Sequence, residues 1–145
     1  MRLFATHLAS RHEEHDHPRA GEIAAILRVL GRENGPHLVV GDFNALEPGD
    51  PTGTPPPGVE RRGDALPDAA RRVLAPLLRA GYVDCFRRRH PSEPGFTYPS
   101  DAPWLRLDYV FASTAAADRL LTCDVLATGA ARTASDHLPV VARFR

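Results

Sequence analysis

Apolar residues in this chain come in short runs and one helical stripe, separated by polar stretches. Met1 to Leu8 reads as a strand that ends at His7. A polar, histidine-rich loop covers 9 to 17, and Pro18 then opens a helix, where its missing N–H costs nothing. Ile23, Ile26, Leu27 and Leu30 fall at i, i+3, i+4 and i+7, an apolar stripe that Gly31 closes. Asn34-Gly35-Pro36 is a turn. It leads to an apolar strand, His37 to Val40, that runs straight into Gly41-Asp42-Phe43-Asn44. Glu47 to Asp64 is rich in Pro, Gly and charge and is expected to be a surface loop. A helix is expected from Pro67 to Ala80, kinked or divided by Pro76 and stopped by Gly81. Tyr82 to Phe86 is a short apolar element and Arg87 to Ser100 a second loop. The remaining elements are a strand at Leu105 to Ala112, a short helix at Thr114 to Leu121, and strands at Cys123 to Ala127 and Pro139 to Phe144. No repeat or domain boundary interrupts 1–145, and strands interleaved with helices predict one α/β layered domain.

Composition changes this picture little. With 145 residues the chain suffices for a single core, and no apolar run approaches a membrane span. The start, MRLFATHL, lacks the basic segment and apolar stretch of a signal peptide, so a cytoplasmic setting is the default expectation. The 18 basic residues, all Arg, balance 18 acidic ones, which argues against a non-specific nucleic-acid coat but leaves room for local Arg clusters. Cys85 and Cys123 have no CxxC partner and are expected in the core.

The chemistry-bearing residues share one placement. His7 ends the first strand, Asp42 and Asn44 follow the second, Asp108 lies within LRLDYVF, and Asp136-His137 precede the last strand. Strand ends on one edge of a sheet converge on a single site in many α/β enzymes. Carboxylate and amide oxygens suit Mg²⁺ or Mn²⁺, and such a cation with a carboxylate that orients water can hydrolyse a phosphoester. Asp108 needs a partner, because an unpaired carboxylate in an apolar strand is costly to bury, and Asp136-His137 supplies one if the last strand lies nearby. Taken singly, Asp42 and Asp136 fit a turn and a cap equally well. His12, His15 and His17 read as a solvated loop rather than a zinc site, Arg87-Arg88-Arg89-His90 as a solvated surface run, and Trp104 as packing.

Four segments together carry a resemblance. ATHL, VVGDFNALEPGDP, GFTYPSDAPWLRLDYVFAS and SDHLPVVARF resemble, in order and rough spacing, motifs of the endonuclease/exonuclease/phosphatase (deoxyribonuclease I-like) family. The resemblance implies a two-sheet α/β sandwich with flanking helices, of which this chain is the C-terminal half. It also implies a divalent-metal-dependent phosphoester hydrolase, using Mg²⁺ or Mn²⁺ on a small-molecule, lipid-headgroup or nucleic-acid phosphodiester. By the same resemblance Asp42 would position or activate the attacking water and Asn44 would bond the phosphate. His137, oriented by Asp108, would act at the scissile phosphate, with His7 as a second phosphate-facing histidine. Asp42, Asn44 and Asp136 would form the metal set.

The family's first half, with its metal-binding Glu and the acid that orients His7, has no counterpart in the motifs here. A misplaced start, a truncated gene, or a second chain that completes the sandwich would each account for that. The expected consequences are an unpaired edge on the closing strand, an uncovered sheet face, marginal stability and low activity. The alternative reading is therefore an inactive remnant or a phosphate-ligand-binding module. Neutral charge tilts the substrate expectation toward a small molecule or lipid over DNA.

Overall fold

The computed structural model describes residues 1–10, 17–57 and 72–145. Its strands are β1 (Arg2–His7), β2 (His37–Asp42), β3 (Val83–Asp84), β4 (Asp108–Ala112), β5 (Leu120–Val125) and β6 (Val140–Phe144). The helices with complete bounds are α1 (His17–Leu30), α2 (Ala75–Arg79), α3 (Cys85–Arg89), α4 (Thr114–Ala117) and α5 (Ala131–Ala134). One sheet has the order β1-β2-β4-β3, and β5 and β6 form a second. β1 runs parallel to β2, with α1 as the crossover that a parallel pair requires, and β4 is antiparallel to both β2 and β3.

Side-chain alternation along β2 and β4 builds two cores, one on each face of the larger sheet. Val39, Tyr109 and Phe111 pack with Ile23 and Leu30 of α1 and with Leu74 and Leu77. Leu38, Val110 and Ala112 instead meet Cys85, Phe86 and Cys123, with Val125, Val140 and Ala142 of the second sheet against them. Both cysteines are thus core residues, and burial pushes each thiol up to about 12, so neither is reactive at neutral pH. Each fully buried side chain of this kind contributes roughly 1.5–3 kcal/mol of transfer free energy. Leu3 pairs in register with the buried Leu38 yet is 63% exposed, and among the described residues β1 and β6 each have a strand partner on one side only.

Several boundaries differ from the sequence reading. The strand expected from Leu105 begins only at Asp108, because Leu105 makes an isolated bridge to Tyr98 and Arg106 is bound to Asp50 and Asp84. The helix expected from Thr114 to Leu121 is one turn, and Leu120 already belongs to β5. Pro76 occupies the first turn of α2, after a bend at Leu74, so it divides the predicted helix and starts the second piece. The earlier part of that helix, and the side chains of His12, His15 and His17, lie outside the described residues. Arg87 to Arg89 form most of α3 rather than a loop, and Arg87 is tied to Asp50 at 2.7 Å.

His90, just after α3, staples that helix to β5. Its Nδ1 lies 2.9 Å from Glu93 Oε1, and its Nε2 3.1 Å from Asp124 Oδ1 and 3.0 Å from the Cys123 carbonyl. Only the imidazolium donates from both nitrogens. Burial opposes the charge, but the hydrogen bonds to Glu93 and Asp124 outweigh it and raise the pKa above 6.5. Stability from a raised pKa is fully present below the unfolded value and is lost as pH rises through the folded one. The gap in urea midpoint between wild type and His90→Gln is therefore expected to be wider at pH 6 than at pH 9. A gap that widens with pH would contradict the staple.

Candidate active site

Strand register places three polar side chains in a row across the end of the larger sheet. His7 of β1 is paired with Asp42 of β2, and Asp42 with Asp108 of β4. By alternation all three lie on the same face as Leu38, Val40 and Val110, where the apolar positions give way to polar ones. Gly41 makes the row possible. It has φ +141°, and a Cβ there would lie 1.8 Å from the Thr6 carbonyl oxygen, so only glycine lets β1 approach β2 at this point.

Beyond Asp42 the chain turns through Asn44, which takes the left-handed conformation at φ 46° that Asn tolerates better than most residues. The Asn44 backbone N–H donates to Asp42 Oδ1 at 2.8 Å, and its Nδ2 donates to the Leu8 carbonyl at 2.9 Å. Arg19 of α1 donates to the Asn44 carbonyl. The Asp42 carboxylate is thus held by its own turn, and that turn is braced by β1 and α1.

His137 comes from the opposite side. Its Nδ1 is 2.7 Å from Asp108 Oδ2, and its Nε2 lies 3.9 Å from Asp42 Oδ2. The segment before β6 reaches this place through Thr97 to Ser100. Leu138 N–H donates to the Thr97 carbonyl at 2.8 Å, Ser100 N–H to the Asp136 carbonyl at 2.7 Å, and Ser100 Oγ–H to the Ser135 carbonyl at 2.6 Å. Thr97 Oγ1 accepts from Leu107 N–H at 3.1 Å, so one short stretch locates both His137 and the entry to β4. The Tyr98 ring packs 4.8 Å from the His137 ring. His7, largely exposed, has its Nε2 3.4 Å from Asp42 Oδ2, an ion pair found among the described residues.

Electrostatics follow from this crowding. Burial raises the pKa of Asp42, the neighbouring Asp108 carboxylate adds to it, and the Asn44 N–H and the two imidazoles pull it back. Burial disfavours the His137 imidazolium, yet the Asp108 hydrogen bond and the surrounding carboxylates prevail and raise its pKa. Among the described residues, Asp42, Asp108 and His137 are close enough to share an ion, with ligand atoms all within 4.8 Å of one another. Asp136, expected as a metal ligand, stands outside that group. It is exposed, its carboxylate accepts from Ser135 Oγ–H at 3.3 Å, and its backbone rather than its side chain is tied to the Thr97–Ser100 segment.

The sequence reading missed a buried ionic cluster beside the site. Asp50, Asp84 and Arg106 are at most 6% exposed, with Arg87 at its edge. Asp50 lies near the start of a segment read as a surface loop, and Arg106 sits in a segment read as a strand. The available signal was an Arg flanked by leucines in LRLDYVF, where a buried charge requires a partner.

A family model described as Endonuclease/Exonuclease/phosphatase family matches residues 3–137. The chain belongs to this family. No protein of curated function matches it. Among solved structures, an AP endonuclease from Archaeoglobus fulgidus superposes with a TM-score of 0.76 at 23% identity, over 98% of this chain and 60% of that one. A 3' phosphatase, NExo, from Neisseria, bound to product DNA hairpin, gives 0.69 at 26%, over 90% and 52%. The catalytic domain of Xenopus laevis APE2 gives 0.57 at 23%, over 89% and 41%. The fold is therefore the deoxyribonuclease I-like α/β arrangement of two sheets with helices. The chain spans between about two-fifths and three-fifths of the length of these structures.

Proposed function

We propose that this chain carries the catalytic face of a divalent-metal-dependent phosphoester hydrolase of the phosphodiesterase or nuclease type. The observation that supports this best is the Asp108–His137 hydrogen bond of 2.7 Å, set opposite Asp42 at the end of one sheet. Asp42 and Asp108 are register partners, and burial, with the repulsion of Asp108 added to it, raises the Asp42 pKa, a strain that a bound cation would relieve. These hard oxygen donors fit Mg²⁺ or Mn²⁺, held by Asp42 and Asp108. Such an ion supplies charge stabilisation to the phosphoryl oxygens.

The side chains account for the proton movements. Asp42 orients a water molecule and accepts its proton as the water oxygen attacks phosphorus. His137, kept protonated by Asp108, presents its Nε2–H to the phosphoryl group and gives that proton to the ester oxygen as its bond to phosphorus breaks. Asn44 has a second amide N–H beyond the one given to Leu8, and this serves a phosphate oxygen. His7, at the exposed rim, contacts the phosphate from the other side.

The similarity to the Neisseria phosphatase, which is bound to a DNA product, favours a nucleic-acid phosphoester over a lipid or small-molecule one. The test is a single-turnover assay with the chain in excess over a 3'-phosphorylated DNA duplex, a nicked duplex, sphingomyelin vesicles and bis(4-nitrophenyl) phosphate. Cleavage is expected with Mg²⁺ or Mn²⁺, to stop with EDTA and to return with excess Mg²⁺. Cleavage indifferent to EDTA, or none on any substrate, would reject the reading. A second reading, a phosphate-binding module that turns nothing over until another chain completes the sandwich, draws on the edges of β1 and β6, unpaired among the described residues, and the exposure of Leu3. It predicts saturable phosphate binding without hydrolysis.

A further inference from the structure

The cluster missed by the sequence is aimed at the segment that carries Asp42 and Asn44. Arg106 grips Asp50 with two bonds, Nε to Oδ2 and Nη2 to Oδ1, each 2.7 Å, and its Nη2 also reaches Asp84 Oδ2 at 2.6 Å. Arg87 adds a bond to Asp50 Oδ1 at 2.7 Å. The Arg106 guanidinium lies 4.4 Å from the Tyr109 ring centre. The Tyr109 hydroxyl accepts the Glu47 N–H at 2.9 Å and lies within 3.1 Å of three acceptors: Asp50 Oδ2, the Ala45 carbonyl and the Arg106 carbonyl. Residues 45, 47 and 50, which directly follow Asn44, are thereby tied to the residue that directly follows Asp108.

Stability alone is a poor account of this arrangement. Buried ion pairs seldom outperform apolar residues of the same volume, because desolvation offsets their attraction. Arg106 Nη1 is moreover buried without a hydrogen-bond partner among the described residues, a desolvation cost that a core built only for stability would avoid. What the cluster does is set a distance. It fixes the loop after Asn44 against β4, and so places the Asn44 end of the turn beside Asp108, which the β2–β4 pairing already sets opposite Asp42.

We propose that Tyr109, with the Arg106–Asp50 pair, is a positioning residue that sets the separation of the Asp42–Asn44 turn from the Asp108–His137 pair. This rests on the hydrolase reading for its effect on rate, but not for its effect on geometry. Displacements of about 1 Å in such a site cost up to about 10² in rate.

The experiment uses the full chain and the substitutions Tyr109→Phe and Arg106→Lys. Tyr109→Phe keeps the ring and its packing and deletes only the hydroxyl, while Arg106→Lys keeps the charge and loses the planar fork. Single-turnover cleavage of the DNA duplex in Mg²⁺ is compared with the Asn44 side-chain amide resonances in ¹H–¹⁵N spectra. Leu120→Val, in the core cluster on the other face of the larger sheet from Tyr109, serves as a control for loss of stability alone. Tyr109→Phe is expected to lower the maximal rate about tenfold to a hundredfold, with the half-saturating concentration within about twofold. The Asn44 amide signals should shift, while Leu120→Val retains wild-type rate and Asn44 signals. If the wild-type chain cleaves nothing, the hydrolase reading fails and the spectra decide: shifted Asn44 signals in Tyr109→Phe support positioning. Unchanged Asn44 signals overturn it, as does an unchanged rate in an active chain. Should Arg106→Lys fail to fold, Tyr109→Phe decides alone.

Discussion

Replacing His137 with Ala is expected to slow metal-dependent cleavage by about 10² to 10⁴, the range for a general acid–base group. The ring is joined to Asp108 at 2.7 Å, and that bond fixes its orientation as well as raising its pKa. Its removal deletes the proton donor and leaves Asp108 without its hydrogen-bonded imidazole. Because His137 is only half-buried and its surroundings are held by Ser100 and Thr97, the fold should survive. The raised pKa gives the sign of the pH dependence. The protonated ring persists above the usual imidazole range, so the wild-type rate should fall on the alkaline side only after pH passes that raised value. His137→Ala should lack this limb. Single-turnover rates between pH 5.5 and 9 measure both effects, and an Ala variant within about twofold of wild type would remove His137 from the mechanism.

Gly41→Ala is expected to be more severe for the fold than any other single methyl group added to β2. The new Cβ would sit 1.8 Å from a backbone oxygen of Thr6, and the φ of +141° is one that L-residues rarely adopt. Backbone strain of this kind costs about 1–3 kcal/mol by itself. The clash cannot be relieved by a side-chain rotation, because the obstacle is main chain in the paired strand. β1 must move away from β2, which breaks the register that aligns His7 with Asp42. A loss of at least about 3 kcal/mol in urea unfolding is expected, a large fraction of a domain's net stability, and with it loss of cleavage. A variant whose urea midpoint matches wild type would show that the two strands do not need this close approach. Gly35→Ala, in open space, is the natural control.

What could be read from the sequence alone is tied to local pattern. The stripe from Ile23 to Leu30, the strand ending at His7 and the strand entering Gly41-Asp42 were legible because each is a local apolar run or stripe bounded by polar residues. The four motifs carried the family, and their strand-end placement pointed to one site. An apolar strand with an Asp inside it also announced that Asp108 needed a partner. Boundaries were less legible. Leu105 to Leu107 has the composition of a strand, but Arg106 is bound to Asp50, 56 positions earlier in the chain, and that long-range pairing overrides local propensity.

Tertiary structure alone decided the rest. Which carboxylates come together depends on the register of β2 against β4, and no local pattern sets that register. Asp42 and Asp108 therefore meet, while Asp136, adjacent in sequence to His137, is directed to solvent by its own backbone bonding. His7 acquires Asp42 as a neighbour through the parallel pairing of β1 with β2. The segment from Glu47 looks like solvated loop, yet Asp50 is buried because Arg106 and Arg87 neutralise it and Tyr109 lies against it. Composition speaks for a residue's average preference for water. Whether one particular charge can leave water depends on a partner that only the fold brings within 3 Å.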